Sequence, residues 1–540
     1  MKKAFIPLFI LVPLLIALCL RLYPTIITGM PFSTDGWPII KNTQLLLSHT
    51  PVPLSSKIFD GYDNYMPANS LFAAILSEVT SIAPINIMAL GIPIVGALAI
   101  PIFYVLVNKV TRNSKISLIA SILLATAFPY ALFTAGVTKE TFASPIYMSL
   151  ILLFLLKHNW KTTLLYTTVS IALVLSHQAT TFLTIVVLST LTVGLYVSKG
   201  DKEQNVNSNK SNILFVGILS TAAALYFGLY ATPAIILTFT PSDLLTVGAY
   251  VVLATGTIVY LIHRNVKPTQ KRTMLKCTVS FLAPAVIMFL ITKIPMLPGA
   301  PILPLHYFVY AVPFLITTPL IIYGLNDLNK NNFPLIVPLF WLTAVLSLAI
   351  YTVFGNVPGG EGFVYRFLNF MLPPMAILTA IALYKVYTSK TLHFETRKIS
   401  KFSAIALIAV ITVTSTFSLY AAVSLQEPYL GYFWSYKPSE YAASDWIALN
   451  GNNQTITGDV KTQCLLNGYF KVNVNVLPGL NFLDGASSEP SLLYVYNQMK
   501  TNGYVLYEGS PVSLPANWIS KLANYNVVYA NSEVTIYAEG

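Results

Sequence analysis

Three short stretches carry the residues best suited to chemistry. The first is Ser33-Thr34-Asp35-Gly36-Trp37, a polar turn shortly after the first apolar segment. The second is Thr138-Lys139-Glu140, in the short connection Ala135–Pro145, and the third is Tyr365-Arg366-Phe367, at the head of a long apolar run. Asp35 lies about a dozen residues beyond purely apolar sequence, which predicts a carboxylate near a membrane surface. It would meet water on one side and lipid headgroups on the other, where a base is needed if the donor is a sugar tethered to a lipid. The same Asp-Gly pair also suits an ordinary solvated turn.

These residue types fit glycosyl transfer from a polyprenyl-phosphate sugar. The transition state resembles an oxocarbenium ion, so a carboxylate must activate the acceptor on the face opposite the leaving group. The leaving lipid phosphate needs a positive or hydrogen-bonding partner as its charge develops. Arg366 offers two donors in one plane and can hold a phosphate bidentately. Lys139, Glu140 and His177 stand in neighbouring loops, and Asp60, Asp63 and Tyr65 lie in a turn rich in carboxylates and tyrosines. All are candidate substrate-binding residues. Asp35 and Glu140 offer a second chemistry, since carboxylates from two loops can share a divalent cation such as Mn²⁺ or Mg²⁺. The residues leave base and metal ligand open for Asp35.

The elements that position them belong to a membrane. The chain has 540 residues, of which 55% are hydrophobic and only 10% charged, and its mean hydropathy is +0.66. A soluble protein carries about 25% charged residues. The net charge of +12 does not point to nucleic acid, because the basic residues are spread over short loops. Cys19, Cys277 and Cys464 are far apart and form no disulfide framework or metal motif. The start, Met1-Lys2-Lys3 and a long apolar run, reads as an uncleaved first span, because Arg21 and Pro24 stand where a cleavage site would need small residues.

Apolar runs near 4–22, 86–107, 116–134, 142–156, 162–177, 179–198, 213–232, 244–263, 277–297, 305–325, 334–354, 364–385 and 403–424 predict thirteen spans, two of them short. Splitting the sequence at His177 puts 21 of the 32 Lys and Arg residues, but only four of the 20 acids, on the side of the amino terminus. By the positive-inside rule the amino terminus is cytoplasmic and the tail external. The expected fold is therefore an all-α polytopic membrane domain over 1–424, with a long external loop at 23–85, and a small α/β extracytoplasmic domain over 425–540. Within the loop, Ile39–Leu47 and residues 69–83 suit helices in the interface plane. In the tail, Ser439–Leu449 reads as a helix, Val472–Val476 as a strand, and Asn526–Ala538 as two strands joined at Asn531-Ser532.

On these residues the chain resembles the GT-C superfamily of integral-membrane glycosyltransferases. The early Asp35 in a long first loop, Thr138-Lys139-Glu140 with Pro145, and Tyr365-Arg366-Phe367 with Pro373-Pro374 carry the resemblance, which covers nearly the whole chain. It implies that Asp35 is base or metal ligand, that Glu140 is the acid of the second external loop, and that Arg366 meets the lipid phosphate. The topology is similar to the catalytic subunit of oligosaccharyltransferase. However, there is no Trp-Trp-Asp-Tyr-Gly motif, for which Tyr432-Phe433-Trp434-Ser435-Tyr436 is not a substitute, and loop Pro295–Pro304 has no acid. These departures favour transfer of a single sugar, from a dolichyl- or undecaprenyl-phosphate donor to a lipid-linked glycan or protein, at the outer face of the plasma membrane. A transporter or flippase of lipid-linked glycans, or a non-catalytic assembly subunit, are the alternatives.

Overall fold

The computed structural model describes residues 8–49, 64–197, 209–232, 241–264, 269–295, 302–329, 331–354, 361–388, 394–451, 454–485, 491–507 and 510–539. Asp60 and Asp63 lie outside the described residues. The chain folds as two compact units. One comprises Met1–Leu20, Val95–Phe133 and Phe142–Leu419; the other comprises Arg21–Ile94, Thr134–Thr141 and Tyr420–Gly540. The expected division at 424 follows membrane embedding, whereas compaction groups the stretches that carry Asp35 and Glu140 with the tail.

The first unit is helical. Among the described residues, ten helices are long and apolar enough to cross a membrane, and the bent pair Ser114–Thr126 and Phe128–Ala135 makes an eleventh. Thirteen were expected. The fourth and fifth expected spans are helices Lys139–Leu155 and Trp160–Ser176, of 17 residues each. At about 1.5 Å per residue they reach only ~25 Å, at the lower limit of a crossing. The 63° bend falls at Ala127, two residues before Pro129, which has no amide to continue the first helix and suits the first turn of the second. The expected break at His177 is present. Its backbone is extended, φ −160° and ψ 119°, between helices Trp160–Ser176 and Gln178–Val197.

Helix Phe333–Phe354 is the centre of this unit and packs against 178–197, 241–263 and 361–388. Trp341 Nε1 donates to the Tyr147 hydroxyl at 2.6 Å. A Cβ on Gly194 would stand 2.7 Å from the Phe340 ring, so only glycine permits that close approach. By contrast, the apolar stretch Lys271–Ile291 has mean hydropathy 2.1 and no buried residue. A helix with that composition and so much of its apolar surface left uncovered requires lipid around it.

In the second unit the two predicted interfacial helices form, as Gly36–Ser48 and Ala68–Thr80, and pack on each other through Leu46 and Ala74. The tail forms a sheet from β1 (Ile456–Thr457), β2 (Val474–Asn475), β3 (Leu492–Tyr496), β6 (Tyr525–Ala530) and β7 (Val534–Glu539), in the order β2-β1-β3-β7-β6. Strands β1, β2 and β3 are parallel, while β7 is antiparallel to β3 and β6. A separate hairpin pairs β4 (Tyr504–Tyr507) with β5 (Ser510–Ser513). β3 is buried along its whole length, as a central strand covered on both faces must be. The predicted helix at 439–449 is Pro438–Asn450. The predicted hairpin is β6–β7, turned by the Asn531 side chain, whose Oδ1 accepts from the Glu533 and Val534 amides at 3.0 and 2.9 Å. The strand expected over 472–476 shortens to Val474–Asn475. Val476 instead opens helix Val476–Asp484, because Pro478 suits a first helical turn and cannot serve a sheet ladder.

Candidate active site

The Asp35 turn is built on a strained residue. Ser33 has φ +106°, rare for a side-chain-bearing residue and worth on the order of 1–3 kcal/mol of strain. Its amide donates to the Trp434 carbonyl at 2.9 Å, and its hydroxyl accepts from the Asp35 amide at 3.3 Å. Phe32 meets Trp434 edge to face with ring centroids 5.7 Å apart. Phe32, Ser33, Thr34, Gly36 and Trp37 are buried, while Asp35 between them is exposed. Asp35 occupies the N-cap of Gly36–Ser48 yet makes no capping bond with its side chain. An aspartate at that position ordinarily satisfies a helix amide. Here it forgoes the bond and presents its carboxylate outward on a fixed turn.

The second loop is fastened to the first. The Val137 amide donates to the Phe32 carbonyl at 2.8 Å, and a Cβ on Gly36 would lie 3.0 Å from Val137 Cβ. Thr138 caps the following helix, its hydroxyl accepting from the Thr141 amide at 3.0 Å, while the Thr141 hydroxyl donates to the Gly136 carbonyl at 2.7 Å. This fixes Lys139 and Glu140 in the first helical turn, both buried. A carboxylate is favoured there by the positive end of the helix dipole.

The predicted residues thus divide. Asp35, Lys139 and Glu140 are on two loops that the structure brings together. Tyr65, in the same unit, is buried beside Met66. His177 and Arg366 belong to the other unit. His177 sits at the helix break with Nδ1 2.7 Å from the Thr180 hydroxyl. Arg366 is half-buried where the apolar stretch Arg366–Thr388 begins. Among the described residues, no three His, Cys, Asp or Glu side chains stand together as a metal site. Asp35 and Glu140 are carboxylates on the two joined loops, the donor type a hard divalent cation takes together with water or phosphate oxygens.

The tail contributes residues to which the sequence assigned no role. Trp434 and Tyr436, from the segment set aside as unlike the oligosaccharyltransferase motif, pack on the Asp35 turn. Trp37 is fully buried and its ring meets Tyr436 at 5.2 Å and Tyr469 at 5.6 Å, both edge to face. Tyr436 is itself fixed by its hydroxyl, which donates to the Lys461 carbonyl at 2.9 Å, and by the Lys461 ammonium 5.0 Å above its ring. Lys461 pairs with Glu440 at 2.5 Å in a fully buried ion pair. Cys464 stands near Asp35: burial, then the charges of Asp35 and Asp459, push its thiol up to about 12. The Trp immediately after Asp35-Gly36 and the aromatic density of 432–441 were the available signals, but neither says which aromatics meet.

No protein-family model matches the sequence, and no curated protein matches it. Solved structures do match. The archaeal oligosaccharyltransferase AglB from Archaeoglobus fulgidus, in complex with an inhibitory peptide and a dolichol-phosphate, aligns with a TM-score of 0.55 at 14% identity, over 98% of this chain and 74% of that one. ArnT from Cupriavidus metallidurans aligns with TM-scores of 0.48 in the apo state and 0.40 bound to undecaprenyl phosphate. Identities are 11% and 10%, over 98% of this chain and 97% of ArnT in both cases. The likeness to AglB is one of fold, and it agrees with a mostly helical membrane protein bearing a small carboxy-terminal sheet.

Proposed function

We propose that the chain is a membrane glycosyltransferase that moves a sugar from a polyprenyl-phosphate donor to a hydroxyl of a lipid-linked glycan or protein acceptor, with inversion at the anomeric carbon. The observation that carries this reading is the exposed Asp35 carboxylate, left without a capping bond on a turn that is otherwise buried, strained and fastened to its neighbours. Strain and an unspent carboxylate together are what a functional position shows.

In this reading the acceptor oxygen attacks the anomeric carbon as the carbon–oxygen bond to the lipid phosphate breaks. The acceptor proton passes to Asp35, and the phosphate leaves with the bonding electrons. Glu140 and Lys139, on the adjoining loop, orient the reactants. Arg366 and His177 are assigned to the leaving phosphate on their chemistry alone. Asp60, Asp63 and Tyr65 remain proposed substrate contacts. The reaction lies on the external face of the plasma membrane, with the amino terminus cytoplasmic, a reading supported by the Lys and Arg bias.

The test uses a labelled polyprenyl-phosphate sugar and membranes containing the chain. Asp35→Asn keeps shape and polarity but not proton acceptance, and should lower turnover on the order of 10²–10⁴-fold while donor binding persists. Wild-type turnover in Asp35→Asn would overturn the assignment, and net movement of intact lipid-linked glycan across the membrane would favour the flippase alternative. With Asp35 as a direct base, chelation leaves the rate unchanged. A loss restored by Mn²⁺ or Mg²⁺ would instead make Asp35 and Glu140 ligands.

A further inference from the structure

A row of aromatic side chains leads away from Asp35 within its own unit. Helix Gly36–Ser48 and the helical residues 460–470 lie side by side and run in the same direction. At one end Cys464 is near Asp35; next, a Cβ on Gly468 would stand 3.0 Å from Pro38 Cδ; at the far end Gln44 Nε2 donates to the Tyr469 hydroxyl at 2.7 Å. Trp37 forms the floor. Above it, Tyr441 and Tyr469 pack with ring centroids 5.6 Å apart, and Phe470 lies 5.1 Å from Tyr441. Tyr441, Phe470, Lys41 and Gln44 are only half-buried, so each keeps a face toward solvent.

The hydrogen bonding of this cluster is incomplete. The Tyr469 oxygen accepts from both Gln44 and the Tyr441 hydroxyl, the latter at 3.2 Å, which leaves its own O–H to donate. Among the described residues, Gln44 Oε1 and the Lys41 ammonium make no hydrogen bond. Lys41 lies instead 5.7 Å from the Tyr469 ring centroid. Flat aromatic faces beside unspent donors and acceptors match a pyranose, whose C–H face stacks on a ring while its hydroxyls both give and accept hydrogen bonds. All three contributing elements are helical, so no strand edge is offered to an extended peptide.

We infer that Tyr441 and Phe470, with Lys41, Gln44 and Tyr469, bind sugar rings of a glycan acceptor remote from the reacting hydroxyl. The word acceptor rests on the transferase reading above; the sugar-binding platform does not. At about 1.5 Å of rise per residue, Lys41 and Gln44 stand roughly 9 and 14 Å along the helix from Asp35. The platform therefore favours acceptors of several sugars over a monosaccharide.

The test exposes the purified full chain to arrayed di-, tri- and tetrasaccharides and to arrayed Ser- and Thr-containing peptides. Wild type and Asp35→Asn should retain the same oligosaccharides. Tyr441→Ala, Phe470→Ala and the surface pair Lys41→Ala/Gln44→Ala should each weaken retention on the order of tenfold. The Lys41/Gln44 pair should still unfold in one cooperative transition, with the melting temperature lowered no further than the lost Gln44–Tyr469 hydrogen bond accounts for, which separates lost binding from lost folding. Failure of wild type to retain any saccharide, retention unchanged in the variants, or retention of peptides instead would overturn the inference. If saccharides bind here but no sugar is ever transferred, the transferase reading fails and the platform stands. If sugar is transferred to a saccharide whose KM is the same in wild type and Lys41→Ala/Gln44→Ala, the platform fails and the transferase stands.

Discussion

The Val137 amide donates to the Phe32 carbonyl at 2.8 Å, so the turn that bears Asp35 and the turn that leads to Lys139 and Glu140 share one backbone hydrogen bond. Two loops separated by about a hundred residues of chain are thereby fixed relative to each other by the main chain rather than by flexible side chains. Such support is what a reacting carboxylate needs, since small misplacements are costly in rate.

Gly36→Ala tests that joint. Its new Cβ would meet Val137 Cβ at 3.0 Å and the Val137 carbonyl oxygen at 3.3 Å, and Val137 is held to Phe32. Overpacking of this kind costs about 1–3 kcal/mol. The expected result is a lower melting temperature together with a fall in transfer rate. A variant with unchanged stability and rate would show that the two turns need not stay in register.

Cys464 reports on Asp35 from outside the reaction. Burial first, then the charges of Asp35 and Asp459, hold the thiol neutral up to about pH 12. In a chain keeping only this cysteine, alkylation by iodoacetamide should be slow at pH 9 and rise as the pH approaches 12. Asp35→Asn removes one of the negative charges, so the thiol pKa should fall and alkylation at pH 9 should quicken. The folded state holds a proton that the unfolded chain has released, so this group's contribution to stability falls between about pH 9 and 12. An alkylation rate indifferent to Asp35→Asn would contradict the proximity.

Arg366→Lys retains charge but loses the planar fork. If Arg366 holds the donor phosphate, donor binding and turnover should fall together, on the order of 10–100-fold, because one ammonium cannot reproduce two parallel bonds. Binding and turnover at wild-type levels would remove Arg366 from the donor site.

Orientation is tested by labelling. In a chain with its native cysteines replaced, Asp60→Cys and Lys500→Cys should both react with a membrane-impermeant maleimide in intact cells. Protection of either position until the cells are opened would reverse the proposed sidedness and with it the face on which Asp35 works.

Composition and periodicity alone determine most of the architecture. A near absence of charge over long runs forces helices into lipid, because an unpaired backbone polar group cannot survive there. The break at His177, the two helices of the first loop and the hairpin turned at Asn531 all follow from local residue chemistry within a few positions. Tertiary structure alone decided the surroundings of Asp35. That Val137 reaches Phe32, that Trp434 supplies a carbonyl to Ser33, and that Tyr436, Tyr441 and Tyr469 gather on Trp37 are contacts between segments up to some four hundred residues apart. No periodicity encodes them, since each aromatic would be equally suited to many partners. The same is true of Val476, where a pattern alternating like a strand yields to helix because Pro478 has no place in the sheet. Local sequence dictates which elements form and which residues can react, while the partners that hold a reactive side chain still come from packing across the whole chain.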